Sequence, residues 1–326
     1  MKNNTELILC LNQRKENFLI TIVIPTFDRP DNLVDLILFL EKNITKKTKI
    51  VVFDNKSNNP INIHFLKMHV RKSYLKIYRN KYFVSPEANL LKAIEYPDTP
   101  WVWPLGDSKI LDQEQVKRLE KDCENHSNAM GIIYSHKSSI NEKYIDDINS
   151  LNVKGINLGD LFLVGNSLIS TKSVKKYFSY CTLASLSQIP QVLFHLLPLS
   201  NNEKIYLSNK NLIKGFKKKP NSYNPELSLL ECWGQFSLIL TMQFKIKELK
   251  ILNKKIVEIE NFKSRYNFLK FCLIKILREK VDISPHLLRI LKYRYLFFNK
   301  IFERVIVYLL YFFSLFFFTL IKLKSK

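Results

Sequence analysis

FLITIVIPTF, residues 18–27, is a continuous apolar, β-branched run that closes on a proline, a hydroxyl and an aromatic ring. A run of this length without polar alternation reads as a strand buried on both faces. The residues that follow change period. Leu33, Leu36, Ile37 and Leu40 fall on one face of a helix from Asp31 to Lys42, with Pro30 near its start. KIVVFDN (49–55) is a second strand, running into the polar turn SNNP. Ile61 to Lys72 is a weaker helix, LKIYRN (75–80) a third strand, Pro86 to Glu95 a short helix, and PWVWPLGD (100–107) a fourth strand. Strand and helix alternating at this spacing make an α/β fold, a mainly parallel sheet with helices on both faces. Ligands on such sheets sit beyond the carboxyl ends of the strands. The polar residues there are Thr26, Asp28, Asp54, Asn55, Asn80 and Asp107.

Further along, GIIYSH (131–136) and LFLVGNSLIS (161–170) read as strands, and SQIPQVLFHLLPL as one helix or two half-helices around Pro190. Beyond about 224 almost every pattern is helical. Three segments result: an N-terminal extension (1–17), the α/β domain (18–215) and a basic helical region (216–326).

The whole chain has 326 residues, and its 23 Phe and 15 Tyr need a core, which excludes intrinsic disorder. Only 7 residues are Gly, and neither GxGxxG nor GxxxxGK[ST] occurs, so any phosphate is held by side chains or a metal and not by a glycine loop. The 5 Cys are scattered without a CxxC pair, as in a reduced protein. Of the net charge of +22, residues 245–326 carry +13, from 19 Lys+Arg against 6 Asp+Glu. Within them Val305 to Ile321 is a 17-residue stretch without a charge, flanked by Arg304 and by Lys322, Lys324 and Lys326. Seventeen residues stand at the lower limit for crossing a bilayer, where about 20 is usual. The expectation is a membrane-associating region, spanning or lying in the interface, on the cytoplasmic side of the inner membrane. Cations that alternate with apolar residues, as in KIKELKILNKKIVEIENF, suit a membrane surface, and no nucleic-acid-binding motif accompanies them.

Four segments carry a resemblance to family 2 glycosyltransferases. TIVIPTFDRPDNL is similar to that family's opening strand and turn, and VVFDNKSNNP to its second strand. YRNKYFVSPEANLLKAI resembles the turn that leads into a helix, and WVWPLGDSKIL the strand that enters the acidic motif. FLVGNSLIS and PQVLFHLLPL look more loosely like the O-antigen abequosyltransferase-like branch. The resemblance implies the GT-A fold. It also implies transfer of a sugar from a nucleotide-diphosphate donor, the acceptor being a lipid-linked saccharide or surface glycan at the cytoplasmic membrane surface.

It further implies roles for named residues. Pro25, Thr26 and Phe27 would line the nucleotide pocket, with Asp28 and Arg29 at its border, where Arg29 could pair with phosphate. Asp54 would accept from the base, from uracil or thymine N3–H or from a cytosine amino group. Asn80 and Asn89 would contact base or ribose. At the metal motif the family usually has Gly-Asp-Asp-Asp, and this chain has Gly106-Asp107-Ser108-Lys109. Asp107 would be the remaining ligand to Mg²⁺ or Mn²⁺, a poor site on its own, with Lys109 offering positive charge in place of an acid. For a catalytic base, the stretch TLASLSQIPQVLFHL contains only His195, and Asp160 precedes LFLVGNS.

Overall fold

The computed structural model describes residues 4–13, 17–134, 142–148, 150, 164–187, 189–216, 277 and 301–324. The chain divides into two compact units, one of residues 1–185 and 189–222, the other of 186–188 and 223–326.

In the first unit β1 (Thr5–Leu11) precedes β2 (Ile20–Thr26), α1 (Pro30–Asn43), β3 (Thr48–Asp54), α2 (Ile63–His69), β4 (Tyr74–Asn80), α3 (Pro86–Glu95) and β5 (Trp101–Pro104). There follow β6 (Lys109–Leu111), α4 (Gln113–Asn125), β7 (Gly131–Tyr134), β8 (Lys143–Ile145), β9 (Ser167–Ser170), α5 (Thr171–Leu183), α6 (Leu193–Ser200), β10 (Ile205–Ser208) and β11 (Ile213–Phe216). Nine strands form one sheet in the order β1-β4-β3-β2-β5-β9-β7-β10-β8, and β11 pairs with β6 in a separate ribbon. The run β4-β3-β2-β5 is parallel throughout. β7 and β10 run parallel to each other, while β1, β8 and β9 run antiparallel to their neighbours.

Local sequence explains these boundaries. β2 is buried along nearly its whole length, as a central parallel strand must be. α1 begins with Pro30 at its first turn and buries Leu33, Leu36, Ile37 and Leu40. Asn62, Ser85 and Asp112 cap α2, α3 and α4, each accepting from the backbone N–H three residues on. Trp103, wholly buried in β5, donates its indole N–H to the Gly165 carbonyl at 2.9 Å.

Three expectations change. Residues 5–11, read as part of an extension, form an edge strand on β4, with Leu9 turned into the core. The fourth strand stops at Pro104 because Gly106 and Asp107 turn away from the sheet. Around Pro190 a short 3₁₀ turn, Pro190–Val192, precedes α6. Residues 161–163 of the expected strand lie outside those described.

In the second unit α7 (Ile301–Lys324) is described. It exposes Leu309, Phe312, Phe313, Leu315 and Phe316, and buries Leu310 and Ser314. Among the described residues no helix is long and apolar enough to cross a membrane.

Candidate active site

The strand order places a switch point beside β2. Through α1 the chain moves from β2 to β3 on one side, and through α3 it returns from β4 to β5 on the other. A crevice opens at the carboxyl ends of two strands whose connections part in this way. The register fills that edge with named side chains: Thr26 lies opposite Asp54, and Asp54 opposite Arg79. Beyond β5 the Leu105 N–H donates to the Val23 carbonyl at 2.9 Å, which carries the next turn across the end of β2. Asp107 is 5% exposed there. Its Oδ2 accepts from the Thr26 hydroxyl at 2.7 Å, and its Oδ1 from the Arg29 guanidinium at 3.0 Å.

Asp54 stands on the other side of Thr26. Its Oδ1 accepts from both the backbone N–H and the hydroxyl of Ser57, and its Oδ2 lies 3.5 Å from Arg79 Nε. Arg79 also donates to the Ser57 carbonyl at 2.6 Å. Thr26, Arg29, Pro30, Asp54, Ser57 and Asn59 are among the residues lining a small recess between these groups. Asp28 borders it with φ of 50°, a left-handed conformation that Asp and Asn tolerate better than most residues. Its N–H donates to the Ser57 hydroxyl, and its carboxylate accepts from Asn58 and from the Asn59 backbone. Asp28 therefore ties one loop to the next. Pro25 is half-buried behind this recess and does not line it.

Asn80 and Asn89, expected to contact base or ribose, are each only 2% exposed. Both Asn80 amide bonds run to neighbours, to Asn55 Oδ1 and Asn89 Oδ1, each at 3.0 Å, while its carbonyl accepts from Lys92 at 2.9 Å. Asn89 donates to the Phe53 carbonyl. Both amides thus sit in a network closed within the protein. A buried amide is stable only when its polar atoms are paired, and here they are paired inside the protein. Burial likewise holds the Lys92 ammonium below its ordinary pKa.

Lys109 follows the Asp107 turn in β6, where it pairs with Phe216. Its aliphatic stem lies against Gly106, where an added Cβ would come within 3.3 Å of Lys109 Cε. Burial pushes its pKa down to about 8, against the opposing pull of Asp107. At the rim Phe27 meets Phe83 edge to face, with ring centroids 5.0 Å apart, and Tyr82 beside them is exposed with Lys56 over its ring. The ring of Phe27 thus faces outward with an aromatic partner.

His195 does not join this group. It is 1% exposed, its Nε2 lies 2.8 Å from the Ser167 hydroxyl, and burial lowers its pKa to about 4. An acceptor hydroxyl has no approach to such a ring, so its expected role as a base is replaced by packing in the core. Asp160 lies outside the described residues. Sequence reading missed Arg79, Ser57, Phe83 and Tyr82. The signal for Ser57 was its place three residues after Asp54, a spacing at which a capping Asp side chain accepts from the backbone N–H.

A divalent ion fits this turn poorly. Asp107 is the one carboxylate in Gly106-Asp107-Ser108-Lys109, and both its oxygens are already bonded. Among the described residues no group of three or more His, Cys, Asp or Glu is placed to hold a metal.

No family model matches this chain, and no curated protein does. Solved structures do. The chain is similar to S. aureus TarS 1–349 with 14% identity over 90% of this chain and 89% of that one, at a TM-score of 0.54. The same protein in complex with UDP gives a TM-score of 0.56, and in complex with UDP-GlcNAc 0.52. The mannosyltransferase PcManGT from Pyrobaculum calidifontis, in complex with GDP-Man and Mn²⁺, is similar at 8% identity over 92% of this chain and 88% of that one, with a TM-score of 0.51. The chain shares with these structures a mixed α/β fold built on a mostly parallel central sheet.

Proposed function

We propose that this protein is a glycosyltransferase that uses a nucleotide-diphosphate sugar. The observation that carries the reading is the register at the strand ends, which sets Asp54 and Arg79 on one side of Thr26 and the Arg29–Asp107 pair on the other. A carboxylate and a guanidinium suit the donor and acceptor edges of a nucleobase, and cations a short way off suit a diphosphate. In the reaction the acceptor oxygen bonds to the anomeric carbon, and its proton passes to solvent water or to the departing diphosphate. The bond from that carbon to the diphosphate breaks, and its electron pair leaves with the diphosphate.

The acceptor in this reading is a lipid-linked saccharide or surface glycan, met at the cytoplasmic membrane surface. Its support is the charge of residues 245–326 and the exposed Leu309, Phe312 and Phe316 of α7. Likeness to the abequosyltransferase-like branch rests on the segments FLVGNSLIS and PQVLFHLLPL. The single acid of the 107–109 turn favours a second reading, a nucleotide-sugar-binding protein with weakened turnover. Thermal unfolding with UDP, dTDP, CDP and GDP, followed by release of sugar from the matching donors, tests both. Stabilisation with turnover is expected. Stabilisation without turnover selects the second reading, and no stabilisation by any of the four removes both.

A further inference from the structure

We infer that the donor's diphosphate is held by Arg29 and Lys109 in place of a divalent ion, an inference that rests on the nucleotide-sugar reading above. Ions of the Mg²⁺ and Mn²⁺ class need several oxygen ligands, commonly one or two carboxylates together with phosphates and waters. Here the turn after β5 presents one carboxylate, and the Thr26 hydroxyl and the Arg29 guanidinium occupy its two oxygens at 2.7 and 3.0 Å. An ion would have to displace a partly buried charge-assisted pair to reach Asp107, and would gain only one protein ligand in exchange.

The positive charge that an ion would supply is already built in. Arg29 commits one terminal nitrogen to Asp107, and a guanidinium has five N–H donors, so donors remain for phosphate oxygens. Its side chain is 30% exposed, within reach of a ligand. Lys109 lies two residues beyond Asp107, with its stem packed on Gly106. Asp107 thus orients the Arg29 guanidinium, and Arg29 and Lys109 together outnumber its single negative charge. In a site shielded from water, fixed cations of this kind stabilise an anion without the reorganisation that solvent requires.

Titration calorimetry of the full chain with UDP, dTDP, CDP and GDP, in excess EDTA and again in excess Mn²⁺, reads this property directly. The corresponding nucleosides report whether the base pocket is intact. The tightest diphosphate is expected to bind with the same affinity, within about twofold, in both conditions. Lys109→Met is expected to weaken it about tenfold while leaving the nucleoside bound as in wild type. Diphosphate binding that vanishes in EDTA and returns with Mn²⁺ overturns the inference and leaves the nucleotide reading standing. So does a Lys109→Met protein that binds the diphosphate as wild type does. Should Lys109→Met lose the nucleoside too, the wild-type comparison between EDTA and Mn²⁺ decides alone. Failure of all four diphosphates to bind in either condition overturns the inference together with the reading beneath it.

Discussion

Asp54 carries two duties on one carboxylate, because Oδ1 closes its own turn through Ser57 while Oδ2 faces Arg79. Truncation would therefore confuse a lost turn with a lost ligand contact. Asp54→Asn separates them, since the amide oxygen still accepts from Ser57 while the charge opposite Arg79 disappears. We expect nucleotide affinity to fall by about 1–3 kcal/mol in calorimetry, with thermal stability changed far less. Unchanged affinity would remove Asp54 from the base site. At this scale, Thr26, Asp54 and Asp107 were legible because strand-end polar residues mark the ligand edge of a parallel sheet. Arg79 was not, because its meaning depends on which strand end lies opposite Asp54, and a single sequence does not state register. The network that holds Asn80 and Asn89 was not legible for a related reason. Whether an amide meets a ligand or another amide depends on burial, and both are deep inside.

Among the elements, α6 shows how far local patterns reach. LFHLLPLS is apolar enough to be called a helix, and its His looks functional until its surroundings are seen. The ring lies against Gly131, where an added Cβ would stand 2.7 Å from His195 Nδ1, so only glycine allows β7 and α6 to approach this closely. His195 is held neutral by burial, with a folded pKa near 4 against an ordinary 6.5. Between those values the unfolded chain binds a proton that the folded one refuses, so folding stability falls as pH drops from about 6.5 toward 4. Over pH 7 to 5 this amounts to about 2 kcal/mol from His195 alone. In urea unfolding at the two pH values, His195→Gln should lose less stability on acidification than wild type by about that amount. Equal losses would show that the ring does not titrate as its burial requires. Glu41 in α1 has no sequence signal at all, yet its carboxylate accepts the backbone N–H groups of Arg71, Lys72 and Ser73 and ties α1 to the start of β4. β1 escaped notice because its exposed edge dilutes the apolar alternation on which strand reading depends.

For the whole molecule the uneven charge is the dominant fact, with +13 of the net +22 in residues 245–326. Deleting 305–326 is expected to lower affinity for anionic vesicles about tenfold or more in co-sedimentation. High salt should weaken the part that rests on Lys and Arg and spare the apolar part. A full-length chain that ignores anionic vesicles would defeat the membrane reading. The order of β2, α1, β3, α2, β4, α3 and β5 was determined by sequence alone, because hydrophobic period and capping residues act over a few positions. The same is true of the three carboxyl-end residues, the missing acids after Asp107, and the basic, apolar close of the chain. Tertiary structure decided which side chains meet. It put Arg29 on Asp107, Arg79 on Asp54, the asparagines in a closed network and His195 in the core. The physical reason is that such pairings are set by register and burial, most of them across 25 to 78 positions of chain, while helix and strand signals are local.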